Sequence, residues 1–256
     1  MNQIFNLSRF LKYASYQFGM HKKIIGLGVA GTFSVLLLFL VLILSGQHNW
    51  MADEWRNTFF ILFSLSACLI IGHAFPNYRQ KEKAISTIMT PASVFEKFIS
   101  EYILRIVLYT LIFPILFTLA AKLATPLATL INDRASIMPF SLSSLFEVQA
   151  NAKFLYTLIP LLFFTSSAFL FAGCTAFSKY PLLKTSIFIT AVFIMGSGYL
   201  YFIMEKMDLK NGMAYMVESS SIASDEGALN VLYVILTVSI LSALSYAFFK
   251  LKEKEI

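Results

Sequence analysis

Six apolar stretches, each close to the length that crosses a bilayer, constrain this sequence more than anything else in it. They are 24–46, 58–75, 102–121, 154–177, 185–204 and 228–249. Spanning the hydrocarbon takes about 20 apolar residues in a helix. Only helices and closed barrels satisfy every backbone polar group there. The expectation is an all-α integral membrane fold with six transmembrane helices in a single domain covering 1–256. Composition agrees, since 58% of residues are hydrophobic and 13% charged, against roughly 25% charged in an ordinary soluble domain.

The segments around the spans have patterns of their own. Residues 1–19 place Leu7, Phe10, Leu11, Ala14 and Phe18 on one helical stripe, with Arg9 and Lys12 elsewhere. This predicts an interfacial amphipathic helix that turns at Gly19 and enters the bilayer past Lys22 and Lys23. Such a mixed start differs from a cleaved signal peptide. Of the 20 Lys and Arg, thirteen fall in the N-terminal segment, in the connector between spans two and three, between spans four and five, and in the C-terminal tail. Six fall in the other connectors, and Arg105 sits at a boundary. The positive-inside rule then puts both termini and the second connector in the cytoplasm. Basic residues scattered around spans in this way describe topology rather than a nucleic-acid surface.

The connector over 76–105 is the most informative of these segments. Ile85, Ile88 and Met89 share one helical face, and Thr90 and Pro91 break it. Ser93 and Glu96 have the spacing of a capping box that starts a second helix. Phe95, Phe98, Ile99 and Tyr102 line one side of it, while Glu96, Lys97, Ser100 and Glu101 line the other. The first side suits lipid or protein, and the second suits water or a partner. A further capping-box pattern runs from Ser144 to Glu147.

Catalytic patterns are missing. No Gly is followed by Lys, so there is no phosphate-binding loop of the Walker type. His21, His48 and His73 are far apart, no H-E-x-x-H occurs, and Cys68 and Cys174 lie in apolar runs as core residues. Ser197 between Gly196 and Gly198 reads as a helix-packing patch rather than a nucleophile. No Asp, Glu, Lys, Arg or His falls in the middle third of any expected span, which disfavours an ion-coupled carrier and an intramembrane enzyme. His73 and Arg105 lie near the cytoplasmic ends, Arg105 as an interface anchor.

The stretch IMTPASVFEKF over 88–98 resembles the L-P-x-S segment, with Glu-Lys shortly after, of permease subunits of ABC-2 type ATP-binding-cassette exporters, with Met-Thr-Pro where Leu-Pro is commoner. The six-span layout resembles that family over the whole chain. The resemblance implies a bacterial cytoplasmic-membrane exporter without an ATPase site of its own. ATP would be bound by a separate cytosolic ABC ATPase subunit, and a second permease copy, identical or not, would complete the pore. It also implies that the 76–105 connector is a coupling helix docking on the ATPase, with Met89, Pro91, Ser93, Phe95, Glu96 and Lys97 as the contact. The alternative is a polytopic membrane protein without a motor: a scaffold, a channel or an immunity factor.

Overall fold

In the computed structural model of the chain, residues 5–46, 49–79, 81–132, 136–145, 153–206 and 225–254 are described. Six helices among them are long and apolar enough to cross a membrane. The chain divides into two compact units, residues 1–67 with 90–149, and residues 68–89 with 150–256.

The first unit contains α1 (Leu7–Gly46), the start of α2 (Ala52–Ile71), α4 (Val94–Tyr102) and α5 (Leu108–Ile131). One π-helical turn, Ile103–Val107, joins α4 to α5, so the helix runs unbroken from Val94 to Ile131. It runs parallel to α1. Arg9 meets Glu96 near one end, Asn132 Nδ2 donates to Ser45 O at 3.2 Å near the other, and both pairs are separated by 87 residues. Leu36, Leu40 and Leu44 of α1 are buried, as are Ala120, Ala121, Ala124 and Ala128 of α5. Small residues on one helix let the backbone of the other approach closely.

Against α5, α2 runs antiparallel through a ladder of rings at i, i+4 spacing on both helices. Trp55 lies 6.2 Å from Phe117, Phe59 lies 5.7 Å from Phe113, and Phe63 lies 5.2 Å from Tyr109. Edge-to-face and offset geometries dominate, as the ring quadrupole favours. Beyond the helices, β1 (Asn49–Trp50) pairs in parallel with β2 (Ser136–Ile137). The strands are parallel because each follows one of two parallel helices. Trp55 Nε1 donates to Met138 O at 2.8 Å and closes this clasp.

The second unit is organised on α6 (Lys153–Ala176), which packs against α7 (Pro181–Lys206) and α8 (Asp225–Glu253). It is the most enclosed of the six, half buried over its apolar window. The end of α2, a 3-10 turn at Pro76–Arg79 and α3 (Lys81–Ile88) belong here as well. Two glycines admit close neighbours: a Cβ on Gly173 would fall on the Thr185 side chain, and one on Gly72 would lie 2.6 Å from Leu182 Cδ1.

Several boundaries depart from the sequence reading. The N-terminal helix does not end at Gly19 but continues to Gly46, because nothing near Gly19 offers a competing cap. The second span starts at Ala52 rather than 58, since Asp53 and Glu54 suit the positive end of a helix dipole. The third continues past 121, through Lys122 and Pro126, to Ile131. Glu147, and with it the second capping-box pattern, lies outside the described residues, as does 207–224 with its serine cluster.

Candidate functional site

The 76–105 connector folds as two short helices separated by the break that its sequence announces. α3 ends at Ile88, with Met89 N still donating to Ile85 O at 3.0 Å. Bends at Thr90, Pro91 and Ala92 follow, as a proline that cannot continue the helix requires. Ile85 and Ile88 of α3 and Met89 just past its end are all exposed, Met89 at 79%. Pro91 is exposed too.

The start of α4 is built by its expected capping box. Ser93 has extended backbone and its hydroxyl accepts from Glu96 N at 3.2 Å, while Ser93 N donates to Glu96 Oε2 at 2.9 Å. The outward direction expected for Glu96 and Lys97 is not what the structure shows. Glu96 is 0% and Lys97 2% exposed. The Glu96 carboxylate turns to the N-terminal segment, accepting from Asn6 N at 2.9 Å and from Arg9 Nε and Nη2 at 2.8 Å each. Phe5 packs edge-on against Phe95 at 6.2 Å. The hydrogen bonds and charge of Glu96 hold the Arg9 guanidinium above its ordinary pKa. Helical periodicity assigned the polar side of α4 to water or a partner, because Arg9, which meets Glu96, lies 87 residues away. Of the six expected contact residues, Met89 and Pro91 are therefore exposed, Ser93 and Phe95 are half-buried, and Glu96 and Lys97 are buried.

Arg105 lies in the π turn, where Nε pairs with Glu101 at 3.3 Å. A one-turn π insertion often marks a functional position within a long helix.

A second constellation, which sequence reading did not find, lies in the other unit. An open cavity of about 270 Å³ is lined by Gly72, His73, Arg79, Tyr180, Pro181, Leu182 and Leu183. Arg79 Nη2 donates to Gly72 O at 2.8 Å and to Ala74 O at 2.9 Å, closing the end of α2. Its buried Nε has no acceptor among the described residues. His73 Nδ1 lies 2.9 Å from Leu69 O. Phe75 and Tyr180, on either side, hold left-handed backbone at φ 53°, a costly conformation for bulky residues and one that collects at functional sites. Burial first, then the charges of Lys250 and Arg79, push the Lys254 ammonium below the ordinary lysine range. Lys250 itself is paired with Glu253 at 2.6 Å. No cluster of metal-ligating side chains occurs among the described residues.

No protein family, curated protein or solved structure matches this chain.

Proposed function

We propose that the chain is the membrane-spanning permease subunit of an ABC exporter of the ABC-2 type, moved by ATP hydrolysed on a separate cytosolic subunit. The observation that carries this reading is the α3 end of the 76–105 connector. Ile85, Ile88 and Met89 form an exposed apolar edge, and the proline-broken turn follows directly. Such an edge suits a groove on a soluble partner. The six apolar helices and the missing nucleotide loop support the division of labour. The parallel course of α1 and α5 agrees with their being odd-numbered crossings that start on one side.

In this reading both termini and the connector face the cytoplasm of a bacterial cell, and a second permease copy completes the pathway. Closure of the ATPase pair pushes α3, and the rigid helices flanking it carry the motion. The docking contact rests on Met89 and Pro91, extended by Ile85 and Ile88. Ser93, Glu96 and Arg9 fix the start of α4.

The test is co-purification of the chain with an ABC ATPase from its own cell. Met89→Asp combined with Ile88→Asp is expected to release the ATPase and abolish transport. Glu96→Gln should retain the ATPase, in contrast to what an outward-facing contact would require. Retention of the ATPase by the double aspartate variant, or labelling of Lys81 and Lys83 from outside intact cells, removes the reading.

A further inference from the structure

One residue too many is built into the long helix of the first unit. Its π turn, Ile103–Val107, closes with Leu108 N donating to Ile103 O, five residues back instead of four. Such a turn encloses one residue more than an α-helical turn does. The buried stripe of the helix shows where the extra residue goes. Phe98, Ile106, Phe113 and Ala120 are all buried, in steps of eight, seven and seven residues. Seven residues bring an α-helix back to nearly the same side, and an eighth turns it by about 100° more. The step of eight spans the π turn, which absorbs the surplus and keeps α4 in phase with α5.

A π turn is a rare conformation, and this one lies between two ties. Before it, the Glu96 carboxylate accepts from Arg9 Nε at 2.8 Å and from Asn6 N at 2.9 Å. After it, Tyr109 Oη donates to Phe63 O at 2.6 Å and lies 2.7 Å from Ser66 Oγ. With the first tie open, the stretch is free to take up the surplus residue as ordinary α-helix, and α4 then turns by about 100° on α5. We propose that the Ile103–Val107 turn is a rotary joint, held in its wide form by the pairing of Arg9 with Glu96, and that opening this pair turns α4. Two discrete arrangements of one packed element are what a conformational switch requires. In the exporter reading the joint lies where the connector enters α5. The joint does not depend on that reading, and no ATPase enters its test.

Two measurements on the full chain in detergent decide it. The first is the thermal melt of tryptophan fluorescence. Deleting Ile103, 38% exposed, removes the surplus and should leave the melt where the wild type has it. Deleting Leu111, 64% exposed in the regular part of α5, should abolish the cooperative melt, because it turns Phe113 and Phe117 by about 100° relative to Tyr109. The second is maleimide labelling of Ser100→Cys, a buried position, in a chain carrying Cys68→Ser and Cys174→Ser. Adding Arg9→Gln, which keeps the capping box of Ser93 and Glu96, should speed the labelling several-fold. Deleting Ile103 as well should restore the protection, since no surplus is left to take up. A melt lost on deletion of Ile103 overturns the proposal. So does labelling that Arg9→Gln leaves unchanged. Labelling equally fast with and without Ile103 overturns it too, by showing that α4 frays instead of turning.

Discussion

Two helix pairs, one in each unit, solve the problem of packing apolar helices in opposite ways. Between α2 and α5 of the first unit, bulk fills the space: Trp55, Phe59 and Phe63 face Tyr109, Phe113 and Phe117 rung by rung. Where α6 meets α7 in the other unit, closeness replaces bulk. Gly173 sits against Thr185, Ala168 and Ala172 are buried, and the buried hydroxyls of Thr165, Thr175 and Thr185 bond to carbonyls of their own helices at 2.7 Å. Without a large hydrophobic driving force between helices in lipid, association depends on dispersion and close fit. Rings supply dispersion through area, and glycine supplies it through short distance. The first kind of core should fail by leaving a hole, the second by refusing an added atom.

Natural probes separate the two. Both tryptophans, Trp50 and Trp55, lie in the first unit, and both cysteines, Cys68 and Cys174, in the second. The largest expected effect is from Phe117→Ala, a fully buried ring touching Trp55, Phe59, Phe113 and Phe140. It should cost about 3–5 kcal/mol, read as a shift in the thermal melt of tryptophan fluorescence in detergent. Cys174 should stay unreactive to maleimide at temperatures where the wild type protects it.

Next is Gly173→Val, which pushes α7 away from α6. A cost of about 1–3 kcal/mol is expected from overpacking, with faster maleimide labelling of Cys174 and an unchanged tryptophan melt. Adding Thr185→Gly should recover part of the loss, and no recovery would mean that the close approach is not what holds these helices. The smallest of the three is Glu96→Gln, which weakens the tie between Arg9 and α4. Since Arg9 is partly exposed and screened, about 1–2 kcal/mol is expected for weakening hydrogen bonds to a charged group. The readout is earlier proteolysis before Arg9, with the melt of the ring ladder nearly unmoved.

How much was legible beforehand follows the distance over which each signal acts. The helix break at Thr90 and Pro91 and the capping box of Ser93 and Glu96 lie within a few residues, and both stand in the structure as the local pattern requires. Gly19 was misread as a turn, since a glycine is permissive without being obligatory. The side of α4 that faces inward was misread for a different reason: a helical wheel separates two faces but does not say what covers either. His73 and Arg79 attracted no combined reading, because Tyr180 and Leu182 join them from a hundred residues away.

By itself the sequence determined that there are six membrane-length helices, roughly where each runs, and that no nucleotide loop or metal motif accompanies them. Those properties depend on hydropathy and on contacts within a turn or two of helix, which any stretch of chain carries alone. Only the tertiary structure decided that Glu96 points at Arg9, that α1 and α5 share an 87-residue register, and that His73 and Arg79 meet Tyr180 and Leu182 beside Gly72. Each of these is a meeting of residues distant along the chain. Which of several apolar faces pairs with which is settled by shape and by the few polar groups between them, not by hydrophobicity that all the faces share.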